Sequence, residues 1–310
     1  MRHLTIATRG SQLALAQARW VAAALEQREP GLKVELLVLK TKGDKILEVP
    51  LAQVGGKGLF VKEIEDALLD GRAQMAVHSM KDVPAELPAG LILAGVSRRE
   101  DPGDVLIARA GGSLPDLPPG PTVGTSSLRR QAQLKALRPD ARVVNLRGNV
   151  ETRLRKLKEQ NLDAIILAAA GLNRLGLMRP GYHRLDPDVF LPAVGQGALG
   201  LECRADDPET CRLVGLLNHP ECAAAVAAER AFLARLEGGC QVPIAGHARV
   251  EGDQVVLAGL VADLEGVRVH RAQGRAARDQ AAALGVRVAE EVLEAGGREI
   301  LQELYQEDQP

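Results

Sequence analysis

The stretch 123–155 gathers groups that can hold an anion. Thr125, Ser126 and Ser127 precede Leu128-Arg129-Arg130-Gln131, and Arg147 and Arg153 bracket Gly148-Asn149-Val150. Leftover N–H groups at a helix start, backed by the helix dipole, attract negative charge. Arginine adds a planar fork that can bond both oxygens of a carboxylate. Such a site requires these residues to sit at helix starts. The pattern predicts a short strand over 121–124 and a helix over 131–137, with Leu128, Ala132 and Leu134 turned inward. Asn149 is placed to cap a second helix whose apolar face is Val150, Leu154 and Leu157. Successive helix residues diverge by about 100°, so Arg129 and Arg130 need not share a target. The residues alone leave open a solvated surface role, and they leave open which anion is held.

Two other places carry chemistry. A buried strand over 75–77 runs into His78-Ser79-Met80-Lys81-Asp82-Val83-Pro84, and functional groups in open α/β sheets gather beyond the carboxyl ends of strands. The competing reading is a surface turn closed by Pro84. Cys240 follows Gly238-Gly239 and precedes Gln241-Val242-Pro243. It is either a reactive or modified thiol that the glycines let a ligand approach, or a small hydrophobe. Gly55-Gly56-Lys57-Gly58 invites comparison with a phosphate loop, but that pattern needs Gly where Leu51 stands and Ser or Thr where Gly58 stands. A long loop over an active site is the better expectation for 41–58.

The elements that must position these groups alternate strand and helix. Strands are expected over 4–7, 34–40, 91–96, 164–167 and 199–202, the last returning to the first lobe. Helices are expected to about 27, with Leu15, Ala18, Ala22 and Leu25 buried, and over 60–70, with Ile64, Ala67 and Leu68 inward. Arg174 follows the strand 164–167 much as Asp82 follows its own. The charged run 98–104 reads as a linker, and 192–197 as a second joint. From about 219 the character changes to an Ala-rich helix over 221–236, strands over 248–250, 255–261 and 268–273, and a final helix over 279–295.

The chain has 310 residues, a net charge of -1 and only 2% aromatic residues. Its length suits two or three domains. Near-zero charge and scarce aromatics argue against nucleic-acid binding and an anionic membrane surface. The four cysteines form no C-x-x-C pair and no zinc spacing. The start shows no signal-peptide pattern and no run is long enough to span a bilayer. A cytoplasmic protein without a metal is expected.

Taken in order, Ala7-Thr-Arg-Gly-Ser, Gly55-Gly-Lys-Gly-Leu-Phe, Val77-His-Ser-Met-Lys-Asp-Val-Pro, Gly124-Thr-Ser-Ser-Leu-Arg-Arg-Gln, Leu146-Arg-Gly-Asn, Leu191-Pro-Ala-Val-Gly-Gln-Gly and Leu236-Glu-Gly-Gly-Cys-Gln-Val-Pro resemble the porphobilinogen deaminase (hydroxymethylbilane synthase) family. The resemblance implies an α/β fold of two lobes like type-2 periplasmic binding proteins plus a small C-terminal α+β domain. Domain 1 would be 1–97 with 198–217, domain 2 would be 98–197, and domain 3 would be 218–310. It also implies a dipyrromethane cofactor in thioether linkage to Cys240. On that primer four porphobilinogen units are joined, with loss of ammonia, before a linear tetrapyrrole is released by hydrolysis. By the same resemblance Asp82 is the catalytic acid. Lys81, Ser127, Arg129, Arg130 and Arg153 serve the cofactor, and Arg9, Ser11, Arg147, Arg174, Lys57 and Phe60 serve the substrate. Gln53 departs from the Lys expected there. A monomer is expected. The rival class is a non-catalytic solute-binding protein, which would need no thiol in the third domain.

Overall fold

The structure is a computed structural model that describes residues 2–41, 61–237 and 242–307. In chain order its first elements are β1 (Arg2–Arg9), α1 (Gln12–Arg28), β2 (Leu32–Leu39), α2 (Lys62–Leu69), β3 (Met75–Ser79) and β4 (Leu91–Val96). Next come β5 (Asp104–Ala108), β6 (Thr122–Gly124), α3 (Leu128–Leu137), β7 (Arg142–Val144), α4 (Val150–Glu159), β8 (Ala164–Ala168), α5 (Ala169–Arg174) and β9 (His183–Arg184). The chain ends with β10 (Leu199–Arg204), α6 (Pro208–Gly215), α7 (Pro220–Arg235), β11 (Ile244–Glu251), β12 (Gln254–Ala262), β13 (Val269–Ala277), α8 (Ala281–Val292) and α9 (Arg298–Glu307).

The described chain divides into two compact units. The first takes the residues up to Thr41, those from Val61 to Glu100, and Gly197–Ala223. Its sheet has the order β2-β1-β3-β10-β4, with β1 parallel to β2 and β3, and β10 antiparallel to β3 and β4. β10 is the strand expected to return to the first lobe, and it does. Side chains alternate across a strand, so Ile6 packs with Ala18, Val21, Leu25 and Met75 on one face. Ala7 and Ala76 meet Ile64, Ala67 and Leu68 of α2 on the other. Leu15 and Ala22 of α1 are only half-buried, while Val21 and Gln17 take the buried positions.

The second unit takes Asp101–Gln196 and the described residues from Ala224 onward. Its first sheet has the order β7-β6-β8-β5-β9, with β6 parallel to β7 and β8, and β5 antiparallel to β8. The run 98–104 is therefore not all linker, because Asp104 begins a buried strand. An antiparallel sheet, β11-β12-β13, follows. It packs through Val255, Leu257 and Val261 against Phe232 of α7 and Leu284, Val288 and Val292 of α8. The final helix expected over 279–295 is α8, and a further helix, α9, follows it through Gly296 at φ 118°, a backbone conformation that side chains disfavour. Within this unit the turn before β13 lies on α3. A Cβ on Gly266 would stand 2.3 Å from the Ala136 amide nitrogen, and Lys135 pairs with Glu265 at 3.3 Å.

Candidate active site

In the first unit, β1 and β3 run parallel, so the residues after them emerge at one sheet edge. Ser11 caps α1 by accepting the Ala14 N–H at 3.2 Å. Gln17, 3% exposed, donates from Nε2 to the Ser79 hydroxyl at 2.9 Å, tying α1 to the end of β3. The Met80 N–H donates to the Ala198 carbonyl at 3.0 Å, and a single 3-10 turn over Met80–Asp82 then presents Lys81 and Asp82. Met80 is buried and Asp82 is exposed. Arg9, Ser11, Gln17, His78, Ser79 and Asp82 line a cavity of about 60 Å³. His78, grouped with Lys81 and Asp82 in the sequence, instead turns into the protein and meets Glu202.

In the second unit, β6, β7 and β8 run parallel and lead into α3, α4 and α5. Ser127 occupies the cap position of α3 without a capping bond from its side chain. Asn149 caps α4 as expected, accepting the Thr152 N–H at 2.8 Å. Gly148 has φ 122°, and a Cβ there would meet the Thr152 methyl at 2.6 Å. This tight corner exposes its backbone oxygens: Arg153 Nε donates to the Gly148 carbonyl at 2.8 Å, and Lys156 Nζ to the Arg147 carbonyl at 3.0 Å. Arg147, Arg153 and Arg174 are all partly exposed at this edge.

Arg129 and Arg130 are placed differently. Both are buried, and both reach Asp104, which is fully buried at the start of β5. Arg129 Nη1 lies 2.8 Å from Asp104 Oδ2 and donates to the Leu191 carbonyl at 2.7 Å. Arg130 donates to Asp104 Oδ1 at 2.7 Å and to the Ile166 carbonyl at 2.9 Å. Gln196 Nε2 completes the shell of Oδ1 at 2.9 Å. Two long side chains on diverging directions thus converge on one acid. Burial pushes the Asp104 carboxyl up, and the two guanidiniums overcome it and hold the group well below the usual carboxylate range. Burial pulls Arg129 below its ordinary value, with Asp104 pushing back.

Asp104 and Gln196 were not singled out from sequence. The signal was a lone acid opening an apolar run, Asp104-Val105-Leu106-Ile107. Lys57, Phe60, Gln53 and Cys240 lie outside the described residues. Among the described residues, Cys203, Cys211 and Cys222 are free thiols, no group of His, Cys, Asp and Glu is placed to hold a metal ion, and no helix is long and apolar enough to cross a membrane.

Fold and site together define an α/β protein that displays polar and cationic side chains at the carboxyl edges of two mixed sheets. Residues 4–212 match the family model "porphobilinogen deaminase, dipyromethane cofactor binding domain", and residues 223–294 match "porphobilinogen deaminase, C-terminal domain". A porphobilinogen deaminase of Nitratidesulfovibrio vulgaris is 59% identical, covering 98% of this chain and 98% of that one. One of Trichlorobacter lovleyi is 56% identical, covering 99% and 98%. Among solved structures, the methionine binding protein MetQ aligns with a TM-score of 0.43 at 13% identity, covering 69% of this chain and 89% of that one. The chain belongs to the porphobilinogen deaminase family.

Proposed function

We propose that this transferase deaminates porphobilinogen and joins four units head to tail on a dipyrromethane primer held by Cys240, releasing hydroxymethylbilane by hydrolysis. Family membership over nearly the whole chain supports the activity and the cofactor. The observation that carries the site assignment is the placement of Asp82, exposed on a short turn beside the cavity of the first unit. The cofactor and the substrate bear carboxylate side chains. The donors of the second unit fit such groups: the start of α3 with Ser127, then Arg147, Arg153 and Arg174 at the same sheet edge. When bound, the dipyrromethane supplies the chain end that is extended.

The protein's own residues then have distinct tasks. Ser127 and Arg153 orient cofactor carboxylates, with Lys81 beside the catalytic acid. Arg9, Ser11, Arg147 and Arg174 hold substrate carboxylates, joined by Lys57 and Phe60. Asp82 accepts hydrogen bonds from pyrrole N–H groups and stabilises the positive charge that develops as ammonia departs, and it moves protons at the reacting carbon. Arg129 and Arg130 act on the cofactor from a pair that Asp104 holds in place. The three-domain division, 1–97 with 198–217, 98–197 and 218–310, is part of the same proposal. So are a monomer, a cytoplasmic setting, which the free thiols support, and the absence of a nucleic-acid partner.

The test is the intact mass of the purified protein beside Cys240→Ser. An added mass of two linked pyrroles in the wild type, lost in the variant, is the expected result. A wild type that gains no pyrrole mass even after incubation with porphobilinogen would return the chain to the solute-binding class.

A further inference from the structure

Two buried residues bracket the segment that holds Cys240. Leu236 is 2% exposed and Val242 is 4% exposed, and both sit in one core with Phe232 of α7 and Ile300 and Leu301 of α9. Residues 237–241 connect them. Where the chain leaves α7, Glu237 takes φ 52°, a left-handed conformation that a Cβ disfavours. Among the described residues the other non-glycine with positive φ is Asn161, a type whose short polar side chain tolerates it. Glutamate has no such tolerance, and a strained residue persists only where its surroundings hold it.

Two hydrogen bonds hold Glu237. Its N–H donates to the Ala234 carbonyl at 3.0 Å, closing the last turn of α7. Its carbonyl accepts the Tyr305 hydroxyl at 2.9 Å, across a separation of 68 residues. Carbonyls at a helix end lack a partner within the helix, and here α9 supplies one. Tyr305 is anchored in turn: Ile300 and Leu301 are buried, Leu304 packs against the same core, and Arg268 donates to Glu303 at 3.0 Å. Burial, then the charge of Glu237, holds the Tyr305 phenol above its ordinary value, so it stays a donor through the neutral range.

We propose that Tyr305 is a positioning residue for cofactor attachment: by holding the Glu237 carbonyl it sets the direction in which the chain enters the segment of Cys240. This rests on the proposed function and deepens it. Attachment forms one S–C bond at Cys240 and breaks the C–N bond of a porphobilinogen aminomethyl group, and the thiol proton leaves with the ammonia. Tyr305 exchanges no proton in this step. It acts through the backbone three residues before the thiol.

The experiment follows, by intact mass, the uptake of pyrrole units from porphobilinogen by the full chain prepared without them. Tyr305→Phe keeps the ring and removes the donor. Tyr305 is 37% exposed, so water reaches the freed carbonyl and the thermal midpoint should fall by no more than about 4 °C. Uptake should nevertheless slow about three- to tenfold, the range one hydrogen bond supplies. The slowing should lie in the maximal rate, with the half-saturating porphobilinogen concentration within about twofold of wild type. Glu303→Gln is the stability control. It frees α9 from Arg268 and leaves Tyr305 in place, so it should lower the midpoint by a similar amount and leave uptake at the wild-type rate. Equal uptake by wild type and Tyr305→Phe, an equal slowing in Glu303→Gln, or a change confined to the half-saturating concentration overturns the proposal. A wild type that takes up no pyrrole mass overturns the deaminase reading, and this proposal with it.

Discussion

Replacing Asp104 by Asn tests whether one buried acid holds the second unit's arginine pair. The substitution keeps shape and removes the charge that Arg129 and Arg130 share at 2.8 and 2.7 Å. Two guanidiniums, each 5% exposed, then stand side by side without their anion. Breaking a buried pair by removing one partner costs about 3–5 kcal/mol, and two orphaned cations put this case toward the upper end, about 4–5 kcal/mol. With a urea slope of about 2–3 kcal/mol/M, the midpoint should fall by about 1.3–2.5 M. The assay is urea unfolding followed by far-UV circular dichroism, with the first unit's transition as internal reference if the units unfold separately. The pH dependence is a second check. The folded carboxyl lies below its ordinary value of 3.8, so its contribution is present above that pH and is lost as pH falls through the folded value. The gap between wild type and Asp104→Asn should therefore close in acid. A loss under about 0.5 kcal/mol at neutral pH, or a gap that stays constant into acid, would refute the reasoning and mean that the guanidiniums are held by their carbonyl contacts alone.

Other outcomes follow from single positions. Asp82→Asn, with pyrrole mass still attached, should lower kcat by about 100- to 1000-fold and change KM by less than about threefold; near-normal turnover in a steady-state assay would remove Asp82 from its role. Gly285→Ala should destabilise by about 3 kcal/mol or more in a thermal melt, because its Cβ would stand 2.2 Å from the Ala228 carbonyl oxygen where α8 crosses α7. Glu65→Gln should match wild type in stability below about pH 4.5 and exceed it above 7, since a raised folded value of about 7 against 4.5 means stability lost as pH rises. The ceiling on that gain is about 3 kcal/mol, readable from urea midpoints at acid and alkaline pH.

Much of this was legible because local rules and tertiary outcome agree. The cap at Asn149, the apolar face of α2 and the return of β10 each follow from spacing that the fold then uses. The misses share one physical cause: they are polar residues whose partners lie far along the chain. Asp104 sits in a charged run that looks like a linker, yet it meets residues 25 or more positions away, as in its bond from Arg130 (separation 26). Glu202 hides in an apolar strand and meets His78 at a separation of 124. Periodicity sees the face a residue occupies, not the group across from it. α9 lies beyond the helix expected over 279–295: Gly296-Gly297 ends that pattern, and the buried Ile300 and Leu301 after it belong to a second helix.

The arginines show how burial sorts side chains of one type into different work. Arg129, Arg130, Arg147, Arg153 and Arg174 could each answer a carboxylate ligand by chemistry alone. In the fold, Arg129 and Arg130 already answer a carboxylate of the protein, and Arg147, Arg153 and Arg174 remain partly exposed at the strand ends. A buried guanidinium fixed by Asp104 and by main-chain carbonyls cannot follow a growing product from one position to the next without breaking a pair worth several kcal/mol. A partly exposed arginine is held by partners that water screens, and such pairs are worth about 0–1 kcal/mol. On the proposed function, carboxylates added one unit at a time would fall to Arg147 and Arg174, with Arg153 on the cofactor, while Arg129 and Arg130 would supply a fixed field at the start of α3. Substituting Arg147, Arg153 or Arg174 should change how far chains grow, and substituting Arg129 or Arg130 should change whether the unit folds and holds its cofactor at all.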